Sequence, residues 1–401
     1  MKQIDGGITA VPGIRAAGVH AGLKPENQKD VALIVADTPA VAAGVFTQNR
    51  VCAAPVFVCR EHLSNHTAQA IVVNSKNANA CTGEEGLANA YQMTSLVGEA
   101  LDIDPRLVLV AQTGVIGQQL PMAKIAHGIR LVTNALHPDG GHDAALAIMT
   151  TDTVPKEIAV EVEVGGATVK IGGMTKGAGM IAPNMATMLA FLTTDAKIAS
   201  GPLQTALRQS IARSFNRVTV DTDTSTNDTV LILATGSAGN SEITESDGKD
   251  YDAFREGLDF ACTELAKMIA RDGEGATKLV EVIVKNARNE AEGEMAARAI
   301  AESPLVKTAV FGADANWGRI MMAVGKSGAA FDPYQVDVWL GDYQLVKAGM
   351  DAGFDEEKAT DLFSKDTVKI TVDVNAGDTD VTMWTCDYSY DYIRINADYR
   401  T

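Results

Sequence analysis

Histidine disappears from this 401-residue sequence after position 142; the six present are His20, His62, His66, His127, His137 and His142. They show no H-E-x-x-H or zinc-ligand spacing, so no metal site is expected. A histidine-based triad would have to draw its histidine from the first third of the chain. Cysteine is scarce too. Cys52, Cys59, Cys81, Cys262 and Cys386 are an odd number at no metal-ligand spacing, and no C-x-x-C site exists. They read as reduced thiols of a cytoplasmic protein. The longest apolar runs, such as 31–36, fall far short of the roughly 18 residues a membrane span needs. The opening M-K-Q-I-D-G-G holds no apolar signal region. Positive charge also runs short: 34 Lys and Arg against 51 Asp and Glu leave a net charge of −17. That balance argues against nucleic acid or an anionic membrane as partner and says nothing about fold.

What remains is an ordinary globular composition, 46% hydrophobic and 21% charged, on a chain long enough for two to three domain-sized units. One stretch organises it. Residues 174–195 read M-T-K-G-A-G-M-I-A-P-N-M-A-T-M-L-A-F-L-T-T-D. Gly177 and Gly179 permit backbone geometry that side chains resist, and Pro183 fixes φ and removes a donor. The run 188–192 then has the length and flanks of a buried strand. Thr187 thus sits where a strained turn feeds a core strand. There its Oγ can attack the Ala186 carbonyl, form an ester and let water cut the chain. The freed α-amine of Thr187 would then serve as base for its own hydroxyl. The plainer alternative is that Thr187 merely begins a strand, as threonine often does.

The rest of the chain patterns as mixed α and β. Short apolar runs at 31–35, 43–46, 56–58 and 69–73 predict strands. Thr82 with Glu85 predicts a capping box opening a helix through about Leu101; Asn77 and Asn79 in the preceding polar loop are candidate binding residues. A strand at 107–111 runs into Q-T-G-V-I-G, either a plain turn or a site where the Gly114 N–H and the Thr113 hydroxyl face a tetrahedral intermediate. Helices are predicted at 121–136, 143–149, from Ser200, at 251–271, at 290–302 and after D-A-N-W-G-R-I. The clearest hairpin joins 160–164 to 167–171 across Gly165-Gly166. Further strands are predicted at 218–220, 230–234, 279–284, 306–311 and 388–392, with hairpins around Gly341-Asp342 and 375–378. Asp221, Asp223 and Asp228 suggest a calcium loop, but the EF-hand pattern fails at Thr226 and Ile232. G-A-G-M-I-A is blocked as a dinucleotide fingerprint by Pro183, and G-K-S at 325–327 lacks the leading glycine of a P-loop.

The string from Lys176 to Leu189, together with T-G-V-I-G at 113–117, resembles the ornithine/glutamate N-acetyltransferase family of arginine biosynthesis, and the likeness extends along nearly the whole chain. The resemblance implies an α+β fold of two stacked sheets between helix layers, with a further α/β lobe. It implies a chain cut into 1–186 and 187–401, two copies of each in the assembly. The implied reaction moves acetyl from N2-acetylornithine to glutamate through acetyl-Thr187, with Thr113 and Gly114 as oxyanion donors and no cofactor. Acetyl-CoA is a co-substrate for some members, which leaves its use here open. Carried over by motif position, the substrate-binding residues are Thr153, Lys176, Thr187, Glu274, Asn396 and Thr401. Lys176 would pair with a substrate carboxylate and Glu274 with ornithine's ammonium. Two other readings stay open: a self-processing amidase or aminopeptidase, and an uncut protein that only binds amino-acid derivatives. The sequence identifies no base for the first cut, because the amine does not yet exist at that stage.

Overall fold

The computed structural model describes residues 1–25, 27–182 and 188–398, so Ala186, Thr187 and Thr401, and with them the predicted cut, lie outside the described residues. The first part of the chain forms β1 (Lys2–Gln3), β2 (Ile14–Val19), β3 (Val31–Phe46), α1 (Ala54–His62), β4 (Thr67–Asn74), α2 (Gly83–Leu101), β5 (Val108–Gln112), α3 (Met122–Asn134) and α4 (Gly141–Ile148). It continues through β6 (Lys156–Val164), β7 (Ala167–Lys176), β8 (Leu189–Thr194), α5 (Ser200–Arg213), β9 (Thr229–Ala234) and α6 (Lys249–Arg271). The remainder forms β10 (Leu279–Ala287), α7 (Glu290–Ala301), α8 (Pro304–Phe311), α9 (Trp317–Gly325), β11 (Asp337–Leu340), β12 (Tyr343–Lys347), β13 (Met350–Asp351), α10 (Glu356–Phe363), β14 (Thr367–Asp373), β15 (Thr379–Cys386) and α11 (Tyr390–Asp398).

Among the described residues these build a nine-stranded sheet, ordered β1-β6-β7-β8-β9-β3-β4-β5 with β2 added on β3, and a six-stranded sheet, β13-β12-β11-β14-β10-β15. The unbroken apolar run of β8 follows from its place in the first sheet. Leu189 and Phe191 join the core under α1–α4, while Ala190 and Leu192 join the core under α5 and α6. A strand buried on both faces has no polar side to alternate with, and each large side chain so buried contributes about 1.5–3 kcal/mol. β3 changes partners along its length. Residues 31–36 pair with β2, 31–35 and 40–41 pair with β4, and the last six residues pair with β9. The exposed Asp37-Thr38-Pro39 marks the register shift, where proline has no N–H to give the ladder.

The α+β class with two sheets and covering helices is therefore what the fold shows. Helix α6 lies between the sheets, packed on β6 and β7 of one and on β10 and β15 of the other. A third core, under α7 to α10, forms the further lobe on the six-stranded sheet.

Several local expectations need correction. Residues 56–58 lie in α1, not a strand: Pro55 occupies the first turn, and Val56, Cys59 and Leu63 bury one face. Likewise 306–311 lie in α8, started by Pro304 and by the Ser303 side chain, which accepts the Val306 N–H. Residues 390–392 begin α11, so the tyrosine alternation does not mark a strand. Val218 makes an isolated bridge to Trp384 in place of the strand predicted at 218–220. The 375–378 turn closes no hairpin, because β10 lies between β14 and β15. Helix α2 starts where predicted, but its capping box does not form; the Thr82 hydroxyl donates to Asn79 Oδ1 at 2.7 Å.

Candidate active site

The ends of several elements enclose a cavity of about 220 Å³ lined by Thr113, Gly114, Lys176, Glu274 and Asn396, all singled out above. Four separate stretches of sequence are thus brought to one place. Thr150 and Thr151 after α4, and Asp221, Asp223 and Asn227 before β9, complete much of the lining. Of the charged residues there, Lys176 is a cation and Asp221, Asp223 and Glu274 are acids.

Thr113 follows β5, and its N–H donates to the Asn74 carbonyl at 3.1 Å. Gly114 has φ +132°, and a Cβ there would meet the Lys76 carbonyl carbon at 2.1 Å, so only glycine fits. Among the described residues its N–H has no acceptor. The turn is pinned from across the fold by the Asn227 amide, which donates to the carbonyls of Gln112 at 2.9 Å and Ala78 at 2.6 Å.

Lys176 ends β7 and is buried. Its Nζ donates to Thr150 Oγ1 at 2.7 Å, and lies 3.5 Å from Thr113 Oγ1 and 4.0 Å from Asp152. Burial lowers its pKa, and the Asp152 carboxylate opposes that shift. Asp152 is buried as well; burial alone would raise its pKa, but Lys176 and Lys156 outweigh it and hold the carboxyl well below its usual range. Asp152 Oδ1 accepts the Gly177 N–H at 2.7 Å, which fixes the start of the segment leading to Thr187.

Glu274 is clasped from both sides. Its N–H donates to the Ala178 carbonyl at 2.8 Å, and its Oε2 accepts the Asn396 amide at 2.8 Å. Gly179 leaves room for the carboxylate; a Cβ there would lie 2.3 Å from Glu274 Cδ. Helix α11 therefore completes the cavity despite burying none of its residues. Its Tyr392 also lines the site and stacks on Tyr388 at 5.0 Å.

Thr153 stands apart from this group. It lines a neighbouring cleft with Lys156 and Asp272; its N–H donates to Asp272 at 3.0 Å and its hydroxyl donates to the same carboxylate. Lys156 then bridges Asp272 and Asp152 at 2.6 and 2.7 Å, which links Thr153 indirectly to Lys176. Asn77 and Asn79 serve the scaffold: their amides hold the carbonyls of Gln118, Gln119 and Gly86.

Sequence reasoning missed Thr150, Asp152, Asn227 and Tyr392. It also set aside Asp221 once the calcium pattern failed. Asp221 accepts the Met180 and Ile181 N–H groups at 2.6 and 2.8 Å, and burial raises its pKa to about 6. The signal available was the acidic, hydroxyl-rich D-T-D-T-S-T-N-D-T between apolar segments.

Comparison with known proteins gives these residues a context. A family model described as the ArgJ family matches residues 15–401. The chain is 53% identical over 403 residues to the arginine biosynthesis bifunctional protein ArgJ of Symbiobacterium thermophilum, covering all of both chains. It is 48% identical over 400 residues to the protein of that name in Bacillus subtilis, covering 100% of this chain and 98% of that one. Among solved structures, a Bacillus halodurans chain described as an arginine biosynthesis bifunctional protein is 48% identical with a TM-score of 0.50, across 52% of this chain and 97% of its own. Fold, pocket and relatives together place the chain among the enzymes of arginine biosynthesis. The chain belongs to the ArgJ family.

Proposed function

We propose that this enzyme transfers acetyl from N2-acetylornithine to glutamate through an ester on Thr187, after cutting itself at Ala186–Thr187. The observation that carries this reading is that Lys176 and Glu274, opposite in charge, line one cavity together with the Thr113–Gly114 turn. An amino acid bearing a carboxylate and a distant ammonium meets both partners there. A carbonyl between them comes under the Gly114 N–H and the Thr113 hydroxyl, where developing negative charge is best stabilised. The freed amine of Thr187 has an ordinary pKa of about 7.7–8.0, which suits a base working near neutral pH. Thr187, Asn396 and Thr401 complete the substrate site, and Thr153 supports it through Asp272, Lys156 and Asp152.

The Bacillus halodurans chain matches over 97% of its own length but only 52% of this one, which supports the cut. The word bifunctional in the relatives' names supports a second acetyl donor, for which acetyl-CoA is our candidate. The working form comprises two copies of 1–186 and two of 187–401, in the cytoplasm.

The direct test mixes enzyme with N2-acetylornithine and no glutamate, then stops the reaction with acid. One ornithine per active site is expected in a rapid burst, with acetyl on the peptide that begins at Thr187. Ornithine release that waits for glutamate, or acetyl found elsewhere, overturns the covalent route.

The cavity wall supplies a second expectation. Gly179→Ala pushes the Glu274 carboxylate aside while leaving the cores untouched. Losing a hydrogen bond to a charged group is worth about 1.5–3 kcal/mol, so KM for N2-acetylornithine should rise roughly tenfold to hundredfold. Tm should hold within about 2 °C. An unchanged KM removes Glu274 from the ornithine side.

A further inference from the structure

Self-cleavage needs a proton for the departing nitrogen, and none of the residues given roles so far supplies it. The structure holds a buried carboxyl with one oxygen unpartnered among the described residues. Asp228 directly precedes β9 and is fully buried. Its Oδ1 accepts the Met188 N–H at 3.2 Å, the amide next in sequence after Thr187. Its Oδ2 is buried and has no hydrogen-bond partner among the described residues. An oxygen left in that state costs about 1–3 kcal/mol, so its presence asks for a use. Asp152 and Asp221 differ: the first is paired with lysine, and the second accepts backbone amides with both of its oxygens.

Strand register carries the chain past this carboxyl as it enters β8. Leu189 faces Lys176 on one side and Thr229 on the other, so the chain enters β8 between the end of β7 and the residue before β9. Resting on the reading that the chain is cut at Ala186–Thr187, we propose that Asp228 is the proton donor for that cut. Thr187 Oγ–H adds to the Ala186 carbonyl, the C–N bond breaks and a C–Oγ ester forms. The nitrogen leaves as an amine carrying a proton from the Asp228 carboxyl, and the hydroxyl proton returns to Asp228. Water then hydrolyses the ester to the Ala186 carboxylate and the Thr187 alcohol. Burial raises the Asp228 pKa well above its ordinary value, against the Met188 N–H, Ser225 and the charge of Lys176.

Asp228→Asn in the full chain tests this, since asparagine can still accept the Met188 N–H but cannot pass on a proton. Denaturing mass spectrometry followed over time should show cutting slowed at least about hundredfold, the usual worth of a general acid. The uncut variant should melt within about 3 °C of uncut Thr187→Ala. Cutting at the wild-type rate overturns the proposal. So does an uncut variant that melts far lower or fails to fold, because the carboxyl is then structural. A wild-type chain that stays whole would instead sink the functional reading itself.

Discussion

Thr187→Ala should yield one intact chain of 401 residues and no measurable acetyl transfer, a loss of at least about a thousandfold. The size follows from the double duty of one residue. On the proposed route its hydroxyl makes the cut, and after the cut its hydroxyl and its amine would serve as nucleophile and base together. Removing the oxygen forfeits both steps, and with the bond unbroken no amine appears. Denaturing mass spectrometry should show two fragments for the wild type and one for the variant, with ornithine release assayed on the same samples. Turnover by an intact alanine variant would mean that acetyl travels by another route, such as direct transfer between bound substrates.

Gly114→Ala is expected to lower kcat by about a hundredfold to a thousandfold, the measured worth of one oxyanion donor. The added methyl would sit 2.1 Å from the Lys76 carbonyl carbon and 2.5 Å from the Asn77 nitrogen, at a φ of +132° that side-chained residues avoid. The turn must move, and its N–H moves with it. Thr113→Val separates loss of donors from loss of fold, because it keeps the side-chain shape and removes only the hydroxyl. Steady-state kinetics on both variants should show kcat falling further than KM changes. A Gly114→Ala enzyme with normal kcat would take that amide out of the reaction.

The fold was legible where the signal is local and failed where a start signal went unread. The 160–171 hairpin, the β8 run and the long α6 carry their periodicity in one window. In α1 and α8 a proline opening the first turn outweighs a run of β-branched residues, which on composition alone looks extended. The alternating tyrosines near the C-terminus misled in the same way. For the site, Thr113, Gly114, Lys176, Glu274 and Asn396 were found as separate motifs, and the structure brings them to one cavity. Thr150, Asn227 and Asp228 could not be found so. Each acts through a contact with a distant segment: Thr150 with Lys176, Asn227 with the carbonyl before Thr113, and Asp228 with the amide of Met188. A polar side chain in a loop shows nothing of such a partner until the sheet is assembled.

The strand order bears on what a cut between residues 186 and 187 would leave behind. β8 and β9, from the second piece, are inserted between β7 and β3 of the first, hydrogen-bonded to neighbours on both sides. The severed halves would be woven through one sheet, so neither could be drawn out without unravelling the other. The break would open a new chain end without freeing the pieces to drift apart, and maturation would be a covalent event that costs the enzyme none of its architecture.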